Sequence, residues 1–173
     1  EKIELIKLNL SAAKRAKDAI AYSAARDYVT ITIEELPENS WLRYYELTLD
    51  IHKMLAEVEF LNGNFEKSES LINIIVQKAK NSIEKADIYN LLIIQYTMLG
   101  KLSEAIEVGK KGLQYLGIDL PENNLDEAFD IEFIKANNLT EGQEIASLVN
   151  HPEMTLSDKI VSINILANID PPC

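Results

Sequence analysis

Cysteine is almost absent from this chain, and its scarcity limits the chemistry that the chain can carry. Cys173 is the one cysteine and stands at the last position. No second thiol exists to close an internal disulfide or to complete a cysteine-ligated metal site. A chain without disulfides is typical of a reducing compartment, so we expect a cytoplasmic protein.

Basic residues and long apolar runs are also in short supply. Lys and Arg number 17 against 28 Asp and Glu, which gives a formal net charge of -11. Phosphate binding draws its affinity from clustered Lys and Arg, so nucleic acid is not expected as a partner. No stretch approaches the roughly 18 apolar residues of a membrane span. We therefore expect no membrane association, and the oligomeric state is left open.

Residue patterns typical of enzymes are missing as well. The two histidines, His52 and His151, are far apart and have no second ligand at a recognised metal spacing. The segment 100–103 contains Gly and Lys but lacks the glycine spacing and adjacent hydroxyl of a phosphate-binding loop. Glu57 and Glu59 lie two apart on a predicted helix, where side chains do not face one another. We expect no catalytic activity, cofactor or metal in this segment.

The sequence contains an internal repeat around Gly63 and Gly100. Each of these glycines lies between two amphipathic helical patterns. A unit of helix, glycine turn and helix cannot bury its apolar stripe alone, so such units must pack side by side. A bulky residue that opens each second helix is followed three positions later by a small one. The matched positions are Tyr22, Phe65 and Leu102, then Ala25, Ser68 and Ala105, with Ala13, Ala56 and Ile93 in the first helices.

The pattern predicts three helical hairpins within residues 1–121, at about 3–36, 40–80 and 82–117. In the first hairpin, helices are expected at 3–17 and 18–35, although the alternation over 30–33 also resembles a strand. In the second, Ser40 is expected to cap one helix over 41–61. In the third, Gly109 and Gly112 interrupt the helix, and close packing against the next element is favoured over a loose helix end.

The repeat pattern stops after Pro121, and residues 122–173 are expected to form helices that cap the stack, followed by a cut end. Asn123 or Asn124 is expected to cap a first helix, and Thr155 a last one. Thr140 and Gln143 are spaced as a capping box, which predicts a short helical segment between these two helices, through Ile145 and Leu148. The apolar residues expected to cover the end of the stack are Leu125, Phe129, Phe133, Leu148, Ile163 and Leu166.

These positions resemble the tetratricopeptide repeat, which has a small residue in the first helix, a turn glycine, an aromatic residue two positions on and a small residue three after that. The pattern is carried by Ala56, Gly63, Phe65 and Ser68, and by Tyr96, Gly100, Leu102 and Ala105. The resemblance implies an all-α, tetratricopeptide-like right-handed stack of antiparallel helical hairpins.

Four longer stretches look like the helical-repeat region of large bacterial multi-sensor signalling proteins: 45–49, 56–65, 116–121 and 152–155. In that family a serine/threonine kinase domain and a nucleotide-binding ATPase module precede the repeats, and sensory and histidine kinase domains follow. The resemblance implies a segment of a bacterial signalling protein. The chain begins at Glu1 without Met and stops soon after a helical pattern, so we expect a fragment of a larger protein.

A polar strip on the first helices is the candidate binding surface. Stacked hairpins line a concave groove with these helices, and their outward positions here are mixed in charge. We expect the strip to bind a peptide or another domain, the alternative being a surface that is merely exposed to solvent. Its residues are Lys7, Lys14, Lys17, Asp50, Lys53, Glu57, Asp87, Asn90 and Thr97.

The sequence thus predicts a non-catalytic scaffold for contacts between proteins or between domains of one chain. Two alternatives stay open. One is a free-standing helical-repeat sensor that binds a short peptide. The other is a small helical enzyme or ligand-binding bundle, which requires a closed apolar cavity with convergent polar groups.

Overall fold

The structure is a computed structural model that describes residues 1–141 and 152–169. Across these residues the chain is all-α, with nine helices and no strand. The predicted segment from Gln143 through Leu148, together with His151 and Cys173, lies outside the described residues. The helices are α1 Lys2–Asp18, α2 Tyr22–Glu34, α3 Ser40–Arg43, α4 Tyr45–Leu61, α5 Phe65–Lys78, α6 Ser82–Met98, α7 Leu102–Tyr115, α8 Leu125–Thr140 and α9 Ser157–Ile169.

The most extensive contacts join consecutive helices in three pairs: α1 with α2, α4 with α5, and α6 with α7. In each pair a three-residue turn reverses the chain, at 19–21, 62–64 and 99–101. The second helices begin at Tyr22, Phe65 and Leu102, which confirms the register read from the repeat. The strand-like alternation over 30–33 lies inside α2, as the helical interpretation predicted, and Thr32 Oγ1 donates a hydrogen bond to the Tyr28 carbonyl at 2.7 Å.

The three turns share one geometry. The middle residue of each has a positive φ: 62° at Ile20, 83° at Gly63 and 70° at Gly100. The N–H after it bonds to a carbonyl five residues back, at 2.9 Å in all three turns. This is the Schellman end of a helix, which favours glycine in the left-handed position. Sequence reasoning found the two glycine turns but missed the third, because an isoleucine occupies the equivalent position.

Small residues lie where the two helices of each hairpin approach one another. Ala25, Ser68 and Ala105 stand five positions after the middle turn residue and are buried. The matching positions seven before the turn, Ala13, Ala56 and Ile93, are also fully buried. The short side chains of alanine and serine let the helices pack closely, and Ile93 is the one bulky residue among the six.

Two predicted helix boundaries are wrong. The helix expected over 41–61 is divided, because Tyr44, with φ -134° and ψ 46°, separates α3 from α4. Ser40 begins α3 and is not a side-chain cap. The break lets the Trp41 ring lie 4.7 Å from the ring of His52, although a straight helix would place residues eleven apart about 16 Å from one another along its axis. The second helix begins at Tyr22 and not at residue 18, since Ile20 turns the chain.

The hairpins pack in series through contacts of α2 with α4, α5 with α6, and α7 with α9. The central helix, α4, contributes to two apolar clusters. Ile51 and Val58 join residues of the first hairpin, while Leu49 and Ala56 join residues of α5, α6 and α7. Neither hairpin alone would bury both sides of this helix.

The two C-terminal helices behave differently. α9 packs against α6 and α7, and the close packing expected at the two α7 glycines is confirmed. A Cβ at Gly109 would lie 2.5 Å from Ile169 Cγ2, and one at Gly112 would lie 2.9 Å from Ile165 Cδ1.

The structure departs from the expectation that both C-terminal helices cover the end. α8 has no buried residue, and its Leu125, Phe129 and Phe133 are exposed. On α9, Ile163 and Leu166 are exposed as well, because Val161 and Ile165 take the buried positions. Thr140 is the last residue of α8, and its hydroxyl donates to carbonyls of the preceding turn.

Replacing Ile20 by glycine is expected to stabilise the fold. A β-branched residue in the left-handed region loses roughly 1–2 kcal/mol, and Ile20 is 73% exposed, so little apolar burial is lost with its side chain. We expect Ile20→Gly to raise the free energy of unfolding by about 1 kcal/mol in urea titrations, after the added flexibility of the unfolded chain is included. Gly63→Ala is the matched control and should lower it by about as much. A loss of stability in Ile20→Gly would contradict this assignment of strain.

The docking of α9 on α7 is expected to depend on Gly109. Alanine is the better helix former by about 1 kcal/mol, yet its methyl group would overlap Ile169. We expect Gly109→Ala to destabilise the wild-type chain but to stabilise an Ile169→Ala background. Urea unfolding of the four proteins of this double-mutant cycle measures the coupling. Additive effects would show that the two residues are not in contact.

Candidate functional site

The polar strip runs along one side of α1, α4 and α6. Its members recur at helical spacing, so each helix presents them toward the same side. Two ion pairs cross between neighbouring helices: Lys17 Nζ lies 2.8 Å from Glu57 Oε1, and Lys53 Nζ lies 2.7 Å from Asp87 Oδ2. The lysine of each pair is about three-quarters buried. These four side chains therefore link the first helix of one hairpin to that of the next.

The far end of the strip is bonded to α9. Asn168 Nδ2 donates to Asn90 Oδ1 at 2.9 Å, and Thr97 Oγ1 donates to the Asn168 carbonyl at 3.3 Å. Sequence reasoning missed Asn168. A signal was present, because Asn168 is a polar residue in a helix whose other positions are mainly apolar.

Lys7, Lys14 and Asp50 complete the strip. All three are exposed, and within residues 1–141 and 152–169 the structure pairs none of them with an opposite charge. The strip therefore has two parts, a half-buried one joined across helices and an exposed one on α1 and α4. The exposed part is the one available to another molecule.

Glu59 is the most deeply buried carboxylate in the part of the chain that the structure describes, with a side chain 1% exposed. It accepts hydrogen bonds from Lys67 Nζ at 2.5 Å and from Asn64 Nδ2 at 2.6 Å. Burial alone would raise the pKa of Glu59, but these two bonds and the charges of Lys67 and Arg26 outweigh it, so the pKa lies below its ordinary value. The group is held ionised and joins α4 to α5, which leaves it unsuited to acid catalysis.

Tyr45 forms a second polar joint, between α4 and α6. Its hydroxyl donates to Glu84 Oε2 at 2.7 Å, and Lys80 Nζ lies 3.5 Å from the centre of its ring. Burial, and then the hydrogen bond to Glu84 and its charge, raise the pKa of Tyr45 to about 12. The hydroxyl thus remains protonated and serves as a structural donor.

Ser68 ties three helices together. Its hydroxyl donates to the Ala56 carbonyl on α4 at 2.6 Å, and the oxygen lies 3.0 Å from the side-chain amide of Gln95 on α6. The equivalent residues of the other hairpins are Ala25 and Ala105, whose side chains make no such bond.

The buried Thr48 Oγ1 has no hydrogen-bond partner among the described residues.

In the part of the chain that the structure describes, neither a metal site nor a membrane-spanning helix is found. Burial lowers the pKa of His52, whose Nδ1 lies 2.7 Å from the Thr48 carbonyl, so its ring is neutral at pH 7. Within 1–141 and 152–169, no group of His, Cys, Asp and Glu is arranged to hold a metal ion. No helix in those same ranges is both long and apolar enough to cross a bilayer.

Comparison with known proteins relates the chain to signal transduction. It is 25% identical over 159 residues to hybrid signal transduction histidine kinase G of Dictyostelium discoideum, and the match covers 87% of this chain and 5% of that protein. The chain therefore spans a small fraction of the relative that it matches. No protein-family model matches it, and no solved structure does.

The ion pair at Glu59 is expected to make stability depend on pH. Because the folded-state pKa lies below the ordinary value, the contribution of Glu59 is complete above that value and is lost as the pH falls through the folded pKa. We expect Glu59→Gln to be less stable at pH 7 and to lose less stability on acidification below about pH 5. Urea unfolding at a series of pH values measures this. Glu66→Gln, on the exposed first turn of α5, serves as control, and equal acid sensitivity in Glu59→Gln and wild type would contradict the assignment.

Proposed function

We propose that this chain is a non-catalytic scaffold within a signal-transduction histidine kinase, where it positions neighbouring domains or binds other proteins. The observation that carries the proposal is the common register of the three hairpins, in a chain distantly similar to a hybrid histidine kinase. Hairpins that repeat one geometry and pack in series are typical of proteins whose function is to present an extended surface.

The finer assignment is to a tetratricopeptide-like right-handed stack. Its support is local. The turns share a positive-φ middle residue, an aromatic or leucine side chain opens each second helix, and Ala25, Ser68 and Ala105 occupy the small-residue position that the repeat uses for close packing. Serine/threonine kinase and ATPase modules elsewhere in the parent protein, and a cytoplasmic location, belong to the same proposal.

The way the polar groups are used favours a scaffold over an enzyme. Glu59, Tyr45 and Ser68 are buried, and each is bonded between two or three helices. A catalytic group has to meet its substrate, whereas these groups meet other parts of the fold. What they provide is a fixed spacing between helices.

The proposed binding surface is the exposed part of the polar strip. Lys14 and Asp50 are solvent-exposed charges on α1 and α4; the ion pair Lys17–Glu57 joins these two helices, and Lys53–Asp87 joins α4 to α6. A domain that binds here would sense the relative position of the hairpins. Movement of one hairpin would in turn alter the surface presented to that domain.

The test uses the full-length protein that contains this segment, with autophosphorylation and the response to its signal as separate measurements. We expect Lys14→Glu, which changes the exposed part itself, and Lys53→Glu, which breaks the ion pair that positions α4, to weaken the signal response while autophosphorylation remains. Lys53 also stabilises the fold through Asp87, so the swap Lys53→Asp with Asp87→Lys controls for the lost ion pair. A full response in all three variants would argue for another surface.

Two further outcomes address the alternatives. Catalysis of ATP hydrolysis or phosphate transfer by the isolated 173-residue chain would contradict the scaffold. Stabilisation of that chain by one short peptide, with no dependence on other domains, would favour the free-standing sensor.

A further inference from the structure

An apolar groove of about 830 Å³ lies beneath α8. One wall is α8 itself, and the other is formed by the segment after α7 and by α9. The apolar side chains of the groove include Ile118 and Leu120 after α7, Leu125, Phe129 and Ile131 on α8, and Leu166 on α9. The volume falls within the range of about 300–1,000 Å³ found for pockets that bind ligands.

The walls of this groove are incompletely covered. Phe129 is 65% exposed and Leu125 is 61% exposed. α8 carries apolar residues over most of its circumference, yet none of its residues is buried. A helix of this length is marginal in water by itself, and one with this many exposed apolar side chains normally has some of them covered. The composition of α8 is typical of a helix whose apolar side chains pack against another surface.

The charge around the groove is strongly acidic. Asp119 and Glu132 line it directly, and Glu132 Oε1 lies 2.6 Å from Lys135 Nζ on the exposed side of the same helix. Over 119–141 and 152–169, the basic residues are Lys135 and Lys159 alone. The acidic residues in the same ranges are Asp119, Glu122, Asp126, Glu127, Asp130, Glu132, Glu141, Glu153 and Asp158. An occupant that buries the apolar walls must bring positive charge to this rim or be repelled by it.

We propose that this groove binds an amphipathic helix of a partner protein, with apolar side chains seated between α8 and Leu166 and with Lys or Arg facing Asp119 and Glu132. Apolar anchors at i, i+3, i+4 and i+7 are the usual means by which a helix occupies such a groove. The inference rests on the proposed scaffold function and adds a second surface, separate from the polar strip, with a partner of defined chemistry.

A second copy of this chain is a poorer occupant. Its most basic helix is α1, with Lys2, Lys7, Lys14, Arg15 and Lys17. Most of the apolar side of that helix is already buried in its own hairpin, where Ile6, Leu10 and Ala13 are between 0% and 6% exposed, which leaves only Leu5 and Leu8 as exposed leucines on α1. Offering that face to a neighbour would require the first hairpin to unfold.

The experiment measures binding of a labelled synthetic peptide to the whole 173-residue chain by fluorescence anisotropy. The peptide spans about four helical turns, with Leu at the anchor positions and Lys at the others. Its companion replaces every Lys by Glu. We expect the Lys peptide to bind at least about 10-fold more tightly than the Glu peptide, and the difference to shrink as salt is added.

Matched variants on α8 identify the surface. Phe129→Asp changes a residue of the groove, whereas Ile134→Asp changes a residue of the same helix that is 58% exposed and lies outside the groove lining. We expect Phe129→Asp to weaken binding at least about 10-fold, as loss of a central apolar anchor does, and Ile134→Asp to bind as wild type. Glu132→Lys and Glu127→Lys form the corresponding pair for charge, and only Glu132 lines the groove.

Three results would overturn the proposal. One is failure of the Lys peptide to bind. The second is equal binding of the Lys peptide by the Phe129→Asp and Ile134→Asp chains. The third is a dimer in sedimentation that Phe129→Asp abolishes, which would assign the groove to a second copy. Circular dichroism of each variant tests whether α8 remains helical, and an Ala in place of Asp at 129 retains helix propensity if it does not. Because the signal response to Lys14→Glu is measured separately, failure of this inference and failure of the scaffold function are distinguishable.

Discussion

The close approach of the two helices in each hairpin is the constraint on which the rest of the structure depends. It requires a short side chain five positions after the turn, which Ala25, Ser68 and Ala105 supply. With these residues buried between the helices, the larger side chains point away from the hairpin axis and are available to the next unit. A bulky residue at any of the three positions would separate the helices and displace the neighbouring hairpin as well.

Packing in series follows from this arrangement, and it determines what the polar groups can do. α4 buries apolar residues on two sides, so it holds the first hairpin to the second. Two buried polar side chains lie at junctions between helices and are satisfied there, Glu59 by Lys67 and Tyr45 by Glu84. The chemistry of these groups is therefore directed into the fold, and the surface is left for recognition.

Local features could be predicted from the sequence, whereas features that depend on distant contacts could not. The hairpin register follows from glycines and small residues close together in the chain. The break at Tyr44 accompanies the contact of Trp41 with His52, and the pairing of Lys53 with Asp87 depends on the spacing of two hairpins. For α8 the pattern predicts a helix correctly but does not identify what covers it. The polar strip stays a prediction as a binding surface, and its division into bonded and exposed parts could not be read from the sequence because it depends on contacts between hairpins.

Ile20, in the first turn, affects which part of the molecule unfolds first. Its backbone strain lies in the first hairpin, which is held to the second by contacts of α2 and α1 with α4 and by the ion pair Lys17–Glu57. In an array held by nearest-neighbour contacts, a hairpin with a strained turn opens at a lower free energy than one whose turn contains glycine. Under load the first hairpin would thus open before the second and third, which would stay folded.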